Sequence, residues 1–404
     1  TNLRRLSCSN NQISTLDVSS LPLLYELSCH VNQLTSLDLR NGNNLNYGGV
    51  NIKDNPNLYC INVDDPAWST ANWTSGIDAQ AYFASDCNLI GCTDPTALNY
   101  DSTATTDNGS CTYQMTYVPD DNFEQALINL GLDVILDDSV LTSNINTIDS
   151  LIINNLSIVN LTGIEDFTNL KYLECHGNNI NQIDLSQNIN LEYLHCGSNQ
   201  LTNLDISNNL NLTFLNCHSN QLTNLDVSQN TLLSVLIFYK LTGSPGLITN
   251  IDLTNNLLLT YLRCEGHQLT SLNLSNNTSL IRLYCDQNQL TDLDLSQNTS
   301  LTHVSAPLNQ LNSLDLSNLN VLYYIHVPGN PFTRLDLRNG NNINTGLNAS
   351  NCPNLYCIDV DDPTWSTANW TNIDAQAYFS TDCAVYGCTD PTAANYDATA
   401  TDDD

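Results

Sequence analysis

From residue 168 the chain repeats itself. TNLKYLECHGNNINQIDLSQN, INLEYLHCGSNQLTNLDISNN and LNLTFLNCHSNQLTNLDVSQN follow one another without a break, a period of 21 residues. After an enlarged unit at 231–256 the series resumes with LLLTYLRCEGHQLTSLNLSNN and TSLIRLYCDQNQLTDLDLSQN, then two more units to residue 340. One such unit cannot bury its own apolar side. Stacked units can, because Leu170, Leu173, Cys175, Ile180, Ile183 and Leu185 then lie beside their equivalents in the neighbouring coils and share one continuous core. The pattern therefore predicts an α/β solenoid of 21-residue coils with short parallel strands. Its eight units from 168 to 340 make a rod of roughly 40 Å at about 4.8 Å per stacked strand.

Two positions of the repeat are chemically unusual for a core. Asn178, Asn199, Asn220, Asn288 and Asn309 recur at the turn after the first strand. A small amide there can bond the backbone of the adjacent coil, so these residues form an asparagine ladder. Cysteine recurs at the eighth position, as Cys8 and Cys29 in an earlier array and as Cys175, Cys196, Cys217, Cys264 and Cys285 in this one. The same slot holds Phe238, Ala306 and Val327 in other units, which marks it as an apolar core position where thiols act as small hydrophobes. A one-coil spacing gives a line of thiols and not a tetrahedral metal cluster, and His176, His195 and His218 nearby are expected to follow no closed ligand geometry.

Period and pattern resemble the leucine-rich repeat, in short extracellular versions where cysteine replaces one leucine, as in the internalins and the surface proteins of Flavobacteria and their relatives. The resemblance covers most of the chain and implies an extracellular protein working through its surface. The segment before the array, YVPDDNFEQALINLG, reads as the helical N-cap of such a solenoid. Asp121 with Glu124 forms a capping box, and Phe123, Ala126, Leu127 and Leu130 form the apolar stripe.

Each array ends in a segment outside the repeat, NLYCINVDDPAWSTANWTSGIDAQAYFASDC at 57–87 and NLYCIDVDDPTWSTANWTNIDAQAYFSTDC at 354–383. All four tryptophans, Trp68, Trp73, Trp365 and Trp370, fall here. They are expected to cover the open end of the core, helped by a short helix carrying Ala79, Ala81, Tyr82 and Phe83. Each cap brings a cysteine pair, Cys60 with Cys87 and Cys357 with Cys383, and a disulfide is expected in both. Cys352 stands where the first copy has Asn55 and reads as a core thiol.

The expected order is a C-terminal part of one solenoid domain with its cap (1–90), an Asp-rich module (91–111), an N-cap with irregular first coils (112–167), a full solenoid (168–353), its cap (354–386) and a second, truncated module (387–404). GCTDP recurs after 296 residues and LDLRNG after 298, so the chain reads as a window on a tandem array of longer reach.

Lys and Arg total 10 against 42 Asp and Glu, a formal charge of −32. Such a polyanion repels nucleic acid and anionic membrane surfaces and favours divalent cations. No run of apolar residues is long enough for a membrane span. Calcium is the cation expected in the modules, whose cysteine-bracketed, Asp-rich sequence resembles thrombospondin type 3 calcium repeats. The ligand set is Asp94, Asn99, Asp101 and Asp107, repeated as Asp390, Asn395, Asp397 and Asp403 in the second copy. A disulfide between Cys92 and Cys111 is expected to close the first module. The alternative is a disulfide-closed spacer whose acidic residues only cap turns.

No convergent catalytic constellation stands out. Asp184, Asp205, Asp226, Asp252, Asp294, Asp315 and Asp336 recur with the repeat and are read as turn caps or coil-to-coil bonds, not as acid/base pairs. The enlarged unit contributes Phe238, Tyr239 and Lys240 to a loop on one face, and Tyr172, Tyr193, Tyr261, Tyr284 and Tyr324 make the strand face aromatic. This surface is expected to contact proteins, glycans or other copies of the chain. The expected function is that of a non-enzymatic extracellular adhesin or fibre subunit, with recognition of one defined ligand as the alternative.

Overall fold

The computed structural model describes residues 2–43, 46, 48–87, 90–102, 104, 106–240, 247–384 and 391–393. It divides into two compact units, Thr1–Gln114 and Met115–Asp404.

In the larger unit a parallel sheet of ten strands runs the length of the array, one three-residue strand per coil. The register is strict. Leu173, Leu194, Leu215, Leu236, Leu262 and Leu283 are successive partners, each at most 1% exposed. Alternation along a strand turns the residues on either side of each leucine outward. At the far end the LDL segments become strands too, and Ser313–Asp315, Arg334–Leu337, Cys357–Val360 and Tyr378–Ser380 form a second parallel sheet. The smaller unit repeats this arrangement with a three-stranded and a four-stranded parallel sheet.

Two rows of buried asparagines connect the coils. Asn199 Nδ2 donates to Cys196 O of its own coil at 3.1 Å and to Cys175 O of the preceding one at 3.0 Å, while its Oδ1 accepts from Ile180 N at 3.0 Å. Asn178, Asn220, Asn288, Asn309 and Asn330 repeat the scheme. In almost every coil the residue before this asparagine has a positive φ, as at Gly177 (70°), Ser198 (53°), Ser219 (52°) and Gln287 (54°), which aims the amide inward. The second row was not anticipated from the sequence. Asn188, Asn209, Asn230, Asn256, Asn277 and Asn298, in the SxN or TxN ending of six successive coils, are fully buried. Asn209 Nδ2 reaches Leu185 O at 3.0 Å and Asn188 O at 2.9 Å, both in the preceding coil.

Substitutions in the first row keep its chemistry. In the coil after the enlarged unit His267 takes the asparagine position, and its Nε2 bonds Phe238 O. Cys352, fully buried, directs its thiol at Val327 O, as Asn55 in the smaller unit directs its amide at Cys29 O. The ladder cysteines are free, and all but the half-buried Cys8 are buried; burial pushes the Cys196 thiol up to about 12. Cys264 and Cys285 donate weakly to Tyr284 O and Ser305 O of the next coil.

The aspartate row caps turns. Asp184, Asp205, Asp226 and Asp294 each accept from the backbone N–H two residues on, at 2.9–3.0 Å, and these bonds hold their carboxyls below the usual range. In the last coil of each array LDLS becomes LDLR. Arg338 holds Asp336 and also donates to Thr381 O just beyond the closing strand, and Arg40 likewise joins Asp38 to Ser85 O.

Three expectations for the caps and the inserted unit are corrected. The residues around Ala79 to Phe83 do not form a helix. Tyr82–Ala84 is a strand paired with Cys60–Asn62, because Phe83 alternates into the core while its neighbours turn outward. The cap helix is Pro66–Trp73, started by the Asp65 side chain accepting from Trp68 N at 3.0 Å, with proline in the first turn where its missing N–H costs nothing. At the other end, the N-cap of helix Asp121–Asn129 is Asp120, not Asp121. Glu124 does not complete a capping box. It is fully buried and accepts from the N–H groups of Asp137, Asp138 and Ser139 at 2.9, 3.1 and 2.9 Å, tying down the loop behind the helix. Phe238 belongs to the core at 2% exposure and is not part of any outer surface.

Trp73 and Trp370 are buried, each meeting its partner tryptophan edge to face at 5.2 and 5.7 Å. Disulfides join Cys60 to Cys87, Cys357 to Cys383 and Cys92 to Cys111.

Asn209→Ala removes two buried amide hydrogen bonds, to Leu185 O and Asn188 O, which keep their backbone donors Asn188 N and Leu191 N, so it costs about 0.5–1.5 kcal/mol for each bond lost, read as a lowered midpoint in urea unfolding. Asp205 has its folded pKa below its unfolded value, so its contribution is full above the unfolded pKa, near 4, and is lost as pH falls through the folded one. The gap in Tm between the wild type and Asp205→Ala therefore narrows as pH is lowered from about 6 to about 2.

Candidate binding face

The outward residues of the ten-stranded sheet stand in columns set by the parallel register. Tyr172 pairs with Tyr193 and Tyr193 with Phe214, so their rings stack at centroid distances of 4.2 and 4.1 Å, within 12° and 8° of parallel. Val235 follows, and its smaller side chain leaves a shallow apolar depression lined by Phe214, Val235, Ile237, Tyr261 and Arg282.

Beyond it Arg263 organises a second group. Its guanidinium lies 4.2 Å from the Tyr239 ring centroid and 5.6 Å from that of Tyr284, and its Nε donates to Glu265 at 2.8 Å. Burial raises the carboxyls of Glu265 and Asp286, and each keeps one oxygen shielded from solvent with no hydrogen-bond partner among the described residues. Of the inserted unit, Tyr239 joins this face, stacked on His218 at 4.7 Å. Lys240 instead turns to the backbone, donating to Asn220 O at 2.9 Å. The Gly-Ser-Pro-Gly turn lies outside the described residues.

At the N-terminal end of the sheet the structure brings together residues that the sequence reading kept apart. Glu174 and His195 are register partners on adjacent strands, and His176 lies two residues beyond Glu174. One ligand atom from each of Glu174, His176 and His195 falls within 4.8 Å of the others. The two imidazoles stack at 4.2 Å. Tyr172 Oη and Asn154 Nδ2 hold the two oxygens of Glu174. Burial, then the neighbouring His176 and His218, push His195 down to about 4, so its ring is neutral at ordinary pH. His218 stays out of the group, held between Asn216 Oδ1 at 2.8 Å and Ser198 Oγ at 3.1 Å. The expectation of no closed geometry among these histidines is thus corrected for His176 and His195. Phe214, Arg263, Glu174, Glu265 and Asp286 were missed as surface residues, although their places beside the core leucine and cysteine were legible in the repeat.

In the 91–111 module, three of the expected calcium ligands have side-chain oxygens engaged in its own turns. Asp94 Oδ1 accepts from Thr96 N at 2.9 Å and its Oδ2 from Tyr113 Oη at 2.8 Å. Asn99 clamps Thr112 N and Ser110 O, and Asp107 accepts from Gly109 N. Asp101 packs beside Gly91. Asp390, Asn395, Asp397 and Asp403 lie outside the described residues.

No helix among the described residues is long and apolar enough to cross a membrane. No protein-family model matches the chain. Over 72 residues it is 39% identical to internalin J of Listeria monocytogenes, a stretch that is 18% of this chain and 8% of that protein. Among solved structures it is similar to the functional domain of InlJ from the same species, described as including a cysteine ladder. The identity is 31%, over 65% of this chain and 72% of that one, with a TM-score of 0.46. An internalin, inlF, from that species aligns over 65% of this chain and 77% of its own, at 22% identity and a TM-score of 0.55. With its parallel strands, buried asparagine rows and free cysteine ladder, the chain is a leucine-rich-repeat solenoid, similar over part of its length to the internalins of Listeria.

Proposed function

We propose that this protein is a non-enzymatic extracellular or surface-attached adhesin that binds protein or glycan surfaces through the outward face of its ten-stranded sheet. The observation that carries the reading is the aromatic column Tyr172, Tyr193 and Phe214, continued by Tyr261, Tyr284 and Arg263 on the same face. Large, rigid, half-buried rings beside a guanidinium lose little entropy on binding and suit sugar rings and protein side chains alike. Three disulfides favour an oxidising compartment, and the similarity to internalins supports a surface role. Self-association into a fibre is the second form of this reading, supported by the tandem recurrence of the solenoid and its cap.

Beads coated with the chain should be retained on a glycan array or on a cell monolayer. The variant Tyr172→Ser/Tyr193→Ser/Tyr261→Ser should lose about tenfold of that retention, the scale of one lost interface anchor, with its far-UV spectrum unchanged. Equal retention of variant and wild type removes the sheet face from the reading. Concentration-dependent sedimentation that the same variant abolishes would instead favour the fibre.

Calcium in the 91–111 module, through Asp94, Asn99, Asp101 and Asp107, is a separate part of the proposal. Calcium should slow proteolysis between residues 88 and 116 and EGTA should restore it. Cleavage indifferent to both leaves the module a disulfide-closed spacer.

A further inference from the structure

We propose that Glu174, His176 and His195 form a binding site for a divalent transition-metal ion of the zinc type. The donor set is one carboxylate and two imidazoles, which suits zinc, copper or nickel and does not suit calcium, whose ligands are oxygens. The parallel register builds it. Glu174 and His195 face each other across one strand spacing, and His176 follows Glu174 on the same side of the sheet after the buried Cys175.

Two further observations point to a ligand. His176 Nδ1 and His195 Nε2 are each shielded from solvent and have no hydrogen-bond partner among the described residues. A shielded ring nitrogen without a partner is costly unless something occupies it. In addition, Glu174 is already oriented as a metal ligand would be, with Tyr172 Oη on one oxygen and Asn154 Nδ2 on the other at 2.8 Å. Asn154 Oδ1 also accepts from His176 N at 3.1 Å, so one side chain positions two of the three ligands. Such outer contacts fix ligand geometry in metal sites.

The ligand atoms lie within 4.8 Å of one another. Around tetrahedral zinc they would stand about 3.3 Å apart, given bonds of about 2.0–2.1 Å, so a bound ion draws them together. Three protein ligands leave a fourth position for water. No other coil repeats the combination. The positions equivalent to Glu174, His176 and His195 one coil on are His195, Gly197 and Asn216, and His218 is already held by Asn216 and Ser198. The site stands independently of the adhesive reading, since it requires no partner.

The test uses the full chain, stripped with EDTA and dialysed. Zinc chloride followed by calorimetry is expected to show one strong site per chain, undiminished by about 1 mM calcium, a level that fills weak extracellular calcium sites. His176→Gln/His195→Gln is expected to weaken zinc by about a hundredfold, and Asn154→Ala by about tenfold, with the Tm of the stripped protein little changed. Cobalt(II) in the wild type should give the intense visible bands of a four- or five-coordinate, nitrogen-ligated ion. Equal zinc binding by wild type and double variant, no zinc binding, or loss of the site to calcium would each overturn the proposal. Should the double variant fail to fold, the cobalt spectrum decides: pale six-coordinate bands overturn the site.

Discussion

A solenoid coil turns sharply at each corner, and there its carbonyls point inward with no strand to receive them. A buried carbonyl without a donor costs about 1–3 kcal/mol, so a stack of coils is stable only if each corner is supplied with one. Here the first asparagine row supplies that donor, and the second row adds a bond from the next coil to carbonyls such as Leu185 O and Asn188 O that also accept from Asn188 N and Leu191 N. Asn199 and Asn209 are each at most 8% exposed, and each sends its amide to its own coil's neighbour. The leucine core supplies the drive to stack, while the amides fix which coil sits on which and in what phase. Where the asparagine is missing, His267 and Cys352 direct a donor of another chemical type at the same kind of carbonyl.

That fixed phase makes the surface. Residues 21 positions apart become neighbours, so an unremarkable tyrosine in each of two coils becomes a stacked pair, as with Tyr172 and Tyr193. The same rule brings Glu174 beside His195, and Tyr261 near Tyr284 by its diagonal form. The aspartates of the LDLS row lie outside these columns and cap turns. In that row acidity is a device of backbone geometry, while the outward face of the sheet carries rings, imidazoles and a few arginines.

Much of this was legible in the sequence. Period, core positions, the first asparagine row and the apolar cysteine slot all follow from which residues replace which across the units. What escaped was of two kinds. Boundaries without a repeat to average over were misplaced: Asp120 caps the N-terminal helix in place of Asp121, and Tyr82–Ala84 extends a sheet where a helix was expected. In both, a tertiary partner outweighed local preference, the loop amides that hold Glu124 and the strand Cys60–Asn62. The second kind concerns columns. Reading each histidine along the chain hid that His176 and His195 meet Glu174, because proximity runs across coils and not along them.

The enlarged unit interrupts the first asparagine row, and the coil that follows it is secured by an imidazole. His267 offers Nε2 to Phe238 O, while its Nδ1 stays shielded and without a partner among the described residues. An asparagine at that rung would donate twice and accept once. Backbone bonds still cross there, from Phe238 N to Arg263 O, Lys240 N to Glu265 O and Gln268 N to Ile248 O, so the ladder carries the phase of the stack through a rung where the amide is absent.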